Sequence, residues 1–269
     1  MLKRWSIPMA ALALALGSLA LNAPAMAATT AQASGTVAKA GFEPGGLFKA
    51  APGTHAKTVG GRTINYSSNW SGYAVTGGTF TTATASWVQN AGTCTKGDGE
   101  TDMSPWVGID GYTSSTVEQT GSSVDCDGAT ADYYAWYEMY PANVVVINKT
   151  VKAGDKFTGT VTHTSGTKYT LTLTDSTQGW TNTVSKSLSA DDNSAEAVME
   201  MAADSLTKFG TDPFTGFTVD GTPIGSFTSP YTIDQMEITS NGSSSGTLCD
   251  TTSALSGGDN FTTTWDNAC

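Results

Sequence analysis

Gln119 closes a stretch from Trp106 to Gly121, WVGIDGYTSSTVEQTG, that reads as a strand, a turn and a second strand carrying an uncharged amide near its end. Alternation puts Glu118 and Gln119 on opposite faces, so one of them has to face the concave side. The familiar hydrolytic machinery is missing around them. His55 and His163 are the two histidines, and the first falls in a segment expected to be removed. His163 stands mid-strand in Val161-Thr162-His163-Thr164 and reads as a surface histidine. There is no H-E-x-x-H zinc motif and no Gly-rich phosphate loop followed by Lys, and no Ser-His-Asp or Cys-His pairing is supported. If the chain is a hydrolase, carboxylates and amides have to do the work. Two carboxylates, for example Glu138 and Glu196, would suit a glycosidase, and aromatic residues beside them would suit either extended peptide or sugar faces.

These side chains need a scaffold. From about Tyr66 onward, alternating Thr-rich runs recur at Thr79 to Trp87, Tyr133 to Tyr140, Lys156 to His163, Lys168 to Thr174, Trp180 to Leu188, Tyr231 to Thr239 and Asn260 to Trp265. Gly, Asp, Asn or Ser separates most of them, which predicts an all-β domain of two packed antiparallel sheets over residues 62–269. Trp106 to Ile109 reads as a strand in which Gly108 marks a bulge or a close approach, and Thr120-Gly121 reads as the end of the next strand. Within Tyr133 to Tyr140, alternation puts Tyr134, Trp136, Glu138 and Tyr140 on one face and Tyr133, Ala135, Tyr137 and Met139 on the other. Ser194 to Leu206, SAEAVMEMAADSL, fits a helix by composition and a strand by alternation, and periodicity leaves both open.

The first residues belong to export rather than to the fold. A basic start at Lys3-Arg4, an apolar run from Ile7 to Leu21 and Ala25-Met26-Ala27 form a secretory signal peptide over residues 1–27. Residues 28–61 are rich in Ala, Gly, Thr and Pro without periodicity and read as a pro-segment. The segment from Ala28 to Lys57 is net basic, whereas after residue 57 eight Lys and Arg face 23 Asp and Glu, a formal charge of −15. That contrast predicts a pro-segment held by charge and released as carboxylates protonate. The acidic body argues against nucleic acid and anionic membranes as partners. It also suits acid solution, where few cations remain to repel one another. Cys94, Cys126, Cys249 and Cys269 are an even set in an exported chain, and Cys94–Cys126 with Cys249–Cys269 is the favoured pairing. The absence of a C-x-x-C pair argues against zinc, and Asp125 and Asp127 read as a solvated loop rather than a calcium site.

In order along the chain, Trp106-Val107-Gly108-Ile109-Asp110-Gly111, Gln119-Thr120-Gly121, Tyr134-Ala135-Trp136-Tyr137-Glu138-Met139-Tyr140-Pro141 and Ala195-Glu196 resemble the glutamic peptidase family, the eqolisins. Asn69-Trp70-Ser71-Gly72-Tyr73 is similar to that family's N-terminal strand motif, and the likeness runs from Asn69 to about Glu237. The resemblance implies a concanavalin-type sandwich of two large antiparallel sheets and a secreted, pepstatin-insensitive acid endopeptidase made as a precursor. It implies protein or peptide substrates; the residues call for no cofactor or metal, and since nothing in the sequence requires a partner chain a monomer is expected. Carried over residue by residue, the catalytic glutamine falls on Gln119 and the catalytic glutamate on Glu196, with Glu200 its nearest competitor. Trp70, Trp106, Trp136 and Tyr140 resemble groove aromatics, and Asp110 and Glu138 match acidic positions near the site. The chain departs from the pattern at Ser114, where half of the family's disulfide would fall, at Tyr134, where an acid is common, and at Ala197, where a Trp is common. A secreted carbohydrate-binding or glycoside-cleaving protein of the same architecture is the alternative, since fold does not determine function.

Overall fold

Alternating residues become strands here wherever one face has a core to meet. A computed structural model of the chain describes residues 36–37, 45–50, 57–59 and 62–269. The expected signal peptide and most of the expected pro-segment lie outside those residues.

The strands are β1 (Thr36–Val37), β2 (Lys57–Val59), β3 (Arg62–Ser67), β4 (Trp70–Thr76), β5 (Thr82–Val88) and β6 (Glu100–Ile109). They continue as β7 (Val117–Asp127), β8 (Thr130–Tyr140), β9 (Val145–Ile147), β10 (Lys156–Ser165), β11 (Lys168–Asp175) and β12 (Trp180–Ser187). The last are β13 (Ser194–Glu200), β14 (Thr211–Val219), β15 (Thr222–Pro223), β16 (Thr232–Thr239), β17 (Leu248–Thr252) and β18 (Phe261–Trp265). Among the described residues there is no α-helix, and Ile224–Ser226 forms a 3-10 turn. The protein is therefore nearly all-β.

One large sheet runs β2-β3-β16-β4-β13-β6-β7-β8-β9-β1, antiparallel throughout except for the parallel neighbours β3 and β16. A second series runs β12-β11-β10-β5-β14-β15. Strand β14 serves both: Thr211–Phe214 pairs with β18, which joins the large sheet through β17 and β16, and from Thr215 onward the strand pairs with β5.

Two faces of the large sheet do different jobs. Tyr73 and Val75 of β4, Val107 and Ile109 of β6, Ala135 of β8 and Ala197 of β13 join one apolar cluster with Ala85, Phe157, Leu171 and Phe214 from the second series. The alternate residues Trp70, Ala74, Trp106, Val117, Trp136 and Val198 form a separate cluster on the opposite face. Strands of the second series bury one side only, and β5 and β11 alternate cleanly between buried and half-buried residues. Every residue of β13 is buried, because it lies at the centre of the large sheet with both faces covered. That double burial is why Ser194 to Leu206 carried no clear period. It is a strand as far as Glu200 and not a helix beyond it.

Gly121 does not end its strand, and β7 continues to Asp127. A Cβ at Gly121 would stand 2.6 Å from Trp106 Cβ and 2.8 Å from Trp136 Cζ2, so the glycine lets two indole-bearing strands close on each other. Gly108 likewise sits in regular register with no bulge, and a Cβ there would meet the Trp106 ring at 2.9 Å. His163 is not a plain surface residue: Nδ1 pairs with Asp192 Oδ2 at 2.7 Å, and the ring stacks on Tyr169. The disulfides are Cys94–Cys126 and Cys249–Cys269, as favoured.

Candidate active site

The face of the large sheet that carries the second apolar cluster also carries the polar groups with chemistry to offer. Gln119 of β7 and Glu138 of β8 are directly paired in register. Gln119 Nε2 donates to Glu138 Oε2 at 2.6 Å, and both side chains are buried. Gln119 Oε1 has no hydrogen-bond partner among the described residues. Glu118 points the other way, towards Asp110 and Asp192.

Glu200, at the end of β13, is the carboxylate that joins this group. Trp106 Nε1 donates to Glu200 Oε2 at 2.8 Å, and Trp70 Nε1 donates to Glu200 Oε1 at 3.2 Å. The two indoles meet edge to face with centroids 4.8 Å apart. Gly45 N also donates to Glu200 Oε2, at 2.8 Å. The same glycine touches the other two groups, because a Cβ on it would stand 1.9 Å from Glu138 Oε2 and 2.6 Å from Gln119 Nε2. Gln119, Glu138 and Glu200 therefore surround one backbone residue. Burial pushes the Glu200 carboxyl up to about 7, opposed by the N–H groups of Gly45, Trp106 and Trp70.

Glu196 occupies a different place. Register puts it nearer to Gln119, since Glu196, Gly108 and Gln119 lie in one row across β13, β6 and β7. The Trp106 ring, however, lies over Gly108, in the gap between them. Along the strand, Glu196 and Glu200 are about 13 Å apart, so the two carboxyls cannot serve one bond. Burial pushes Glu196 well above the usual carboxylate range, and the charges of Asp110 and Glu118 add to the effect.

The other expected groove residues divide. Trp70 and Trp106 reach Glu200, as above. Trp136 is buried on the same face, where its Nε1 donates to Ser123 Oγ at 2.8 Å, and the half-buried Tyr140 packs against that apolar cluster. Asp110 is spent on structure. It has φ 70° and accepts from the backbone N–H groups of Asp191, Asp192 and Asn193, which anchors the approach to β13. Sequence reasoning missed Gly45. Its only signal was Leu47-Phe48, an apolar pair in an otherwise featureless segment.

No helix among the described residues is long and apolar enough to cross a membrane. Comparison with known proteins shows the family. The model of the peptidase A4 family matches residues 68–265. Aspergillopepsin-2 from Aspergillus niger is 31% identical over 204 residues, covering 66% of this chain and 72% of that protein. The fold is similar to that of scytalido-glutamic peptidase, solved with a transition state analog inhibitor, with a TM-score of 0.60 and 24% identity over 74% of this chain and 98% of the other. Aspergilloglutamic peptidase from Aspergillus niger is similar at a TM-score of 0.50 and 28% identity, over 61% of this chain and 99% of the other. The chain belongs to the peptidase A4 family and is a peptide-bond hydrolase of the glutamic type.

Proposed function

We propose that this protein is a secreted endopeptidase working in acid, in which Gln119 and Glu200 act together on a peptide bond and Glu138 holds Gln119 in place. The observation that carries this reading is the convergence of all three side chains on the backbone of Gly45. Glu200, rather than Glu196, takes the role of base, because the indole donors and the bound glycine are at Glu200. Once solvent and substrate enter the cleft, the burial that raises the Glu200 carboxyl is relieved, and the carboxylate, ionised in moderately acidic solution, takes a proton from water as the water oxygen attacks the peptide carbonyl. The carbonyl oxygen becomes an oxyanion and accepts from Gln119 Nε2, an amide whose donor strength does not change with pH. The C–N bond then breaks as Glu200 returns its proton to the departing amine.

The surroundings support each role. Glu138 accepts from Gln119 Nε2, which orients the amide and leaves its second N–H for the oxyanion. A glycosidase using Glu138 and Glu196 is less well supported, since β6 and β7 separate their strands and their Cα atoms are about 14 Å apart. Secretion is supported by the two disulfides and by the basic-then-apolar start of the chain. A concanavalin-type sandwich is supported by the apolar cluster shared between the large sheet and the second series.

The test is cleavage of an unfolded protein from about pH 2 to about pH 7, with pepstatin present, by the wild type and three variants. Gln119→Ala is expected to lose roughly 100-fold to 1000-fold in kcat, and Glu200→Gln at least as much. Glu196→Gln is expected to stay within about 10-fold of wild type, because no reacting group touches it. Loss in Glu196→Gln with near-normal Glu200→Gln would exchange the two roles, and normal cleavage by Gln119→Ala would remove the mechanism.

A further inference from the structure

Behind the cleft, on the side of β7 that Glu118 faces, three carboxyls from separate parts of the chain meet in the interior. Asp110 follows β6, Glu118 is the second residue of β7, and Asp192 stands two residues before β13. One oxygen from each lies within 4.8 Å of the others, and all three residues are buried. No motif spacing marks the set, because each connection supplies one member.

Two of the three are already engaged. Asp110 accepts from the backbone N–H groups of Asp191, Asp192 and Asn193. Asp192 Oδ1 accepts from Tyr169 Oη at 2.6 Å, and its Oδ2 accepts from His163 Nδ1 at 2.7 Å. His163 Nε2 lies 2.8 Å from Gly166 O, so both ring nitrogens face acceptors, both donate, and the ring carries a positive charge. Glu118 is the exception. Its side chain is fully buried, yet neither Oε1 nor Oε2 has a hydrogen-bond partner among the described residues.

A buried carboxyl without a donor is costly, and buried charges in native proteins are paired or coordinate metal. Among the described residues no lysine or arginine pairs with any of the three. Lys186 of β12 places its ammonium over the Tyr137 ring instead, 5.2 Å from the centroid, and Asp191 adds a further negative charge nearby. Burial, with the charges of Asp110 and Asp192, pushes the Glu118 carboxyl up to about 9, as expected of a group short of a cation. With all three carboxyls ionised, the His163 imidazolium offsets one negative charge and leaves two, which a divalent ion would offset. The donors are all oxygen, which suits a hard cation rather than zinc or copper. Calcium–oxygen distances of about 2.3–2.6 Å allow two oxygens on one ion to stand up to about 5 Å apart, which spans this set.

We propose that Asp110, Glu118 and Asp192 form a calcium site, and that the bound ion fastens the large sheet to β10 and β11 through the Asp192 bonds to His163 and Tyr169. The site is independent of the Gln119–Glu200 reading.

The experiment uses the full chain as wild type, Glu118→Gln, Asp192→Asn and, as a control at another buried acid, Asp125→Asn. Metal ligands bind deprotonated, so it is run at about pH 8. Two quantities are read: calcium bound per chain by equilibrium dialysis, and Tm by circular dichroism in chelator and in calcium. Wild type and Asp125→Asn should bind one calcium per chain, and a calcium concentration about 100-fold above Kd should raise their Tm by about 5 °C or more over chelator. Glu118→Gln and Asp192→Asn should bind at least about 10-fold more weakly and lose that rise. The Glu118→Gln chain, which keeps the side chain's shape, should still melt cooperatively in chelator, so its loss of binding cannot be put down to unfolding. Absence of bound calcium in the wild type would mean that the cluster holds protons only and would overturn the proposal. Calcium binding and a Tm rise kept in full by Glu118→Gln would place the ion elsewhere and overturn it equally.

Discussion

At the scale of single residues, the site is tuned by neutral donors around a buried acid. Glu200 is pushed up to about 7 first by burial and also by the charge of Asp102, while the N–H groups of Gly45, Trp106 and Trp70 favour its ionised form. Removing one of those donors has a definite sign. Trp106→Phe deletes the 2.8 Å bond to Oε2, destabilises the carboxylate and raises the carboxyl further. A hydrogen bond to a charged group contributes about 1.5 kcal/mol, so the acidic limb of kcat/KM should move up by about one pH unit. A limb unmoved in a folded Trp106→Phe enzyme would contradict Glu200 as the titrating base. Glu138 is argued to act through Gln119, and its signature lies in kcat. Glu138→Leu should lower kcat roughly 100-fold at similar KM, and Glu138→Gln, which keeps an acceptor oxygen for Gln119 Nε2, should restore most of it. Alternation separated Glu118 from Gln119 without choosing between them, and it is the register with β8 that puts Gln119 on the face of Trp136, Glu138 and Tyr140. The choice between Glu196 and Glu200 was not legible either. Four residues apart in a strand they share a face, and what separates them is which carboxyl two indoles reach from β4 and β6.

At the scale of elements, β10 to β12 were readable over nearly their whole length, whereas β6 and β7 were read in part and β13 was left open between helix and strand. Strand β11 begins where the Thr-rich alternation predicts and ends one residue beyond it, because one of its faces meets the core and the other does not. In β6, β7 and β13 both faces are covered, alternation fades, and the glycines there take their meaning from neighbours distant in sequence. Gly121 shows the difference. Read as a strand end, it is instead where the Trp106 and Trp136 side chains of β6 and β8 close over β7, with Trp106 Cβ, Pro105 O and Trp136 Cζ2 all within 2.8 Å of any added Cβ. Two of those contacts are rigid backbone or Cβ atoms. Gly121→Ala should therefore cost about 1–3 kcal/mol in urea unfolding, and it should lower activity as well, since the displaced indole of Trp106 is the donor to Glu200. A substitution neutral for both stability and cleavage would mean that the sheet yields there more easily than the packing implies. Asp110 makes a related point: an acid next to an aromatic strand reads as a binding group, whereas three backbone N–H groups from the turn before β13 consume it.

At the scale of the whole molecule, composition suits acid solution, and the buried carboxyls predict tolerance of acid for a reason more specific than net charge. Several carboxyls are buried in the fold with their affinity for protons raised. Burial pushes Glu118 up to about 9, helped by the charges of Asp110 and Asp192, and pushes Asp125 and Asp250 each up to about 8. In an unfolded chain the same groups titrate near 4. Between about pH 4 and these raised values the folded state binds more protons than the unfolded one, so stability falls as pH rises through that window. Below about pH 4 both states are protonated, and the contribution is fully present. Melting followed by circular dichroism from about pH 3 to about pH 9 should therefore give its highest Tm at the acid end and a fall of roughly 10 °C or more towards the alkaline end. A Tm that rises between about pH 4 and about pH 8 would show that paired or solvated carboxylates dominate instead. The source of the slope can be located as well as its sign. Glu118→Gln holds that side chain neutral at every pH while keeping its shape, so it should leave the acid-side Tm within about 2 °C of wild type. It should also flatten the alkaline fall, because the state whose charging opposes the fold can no longer form next to Asp110 and Asp192.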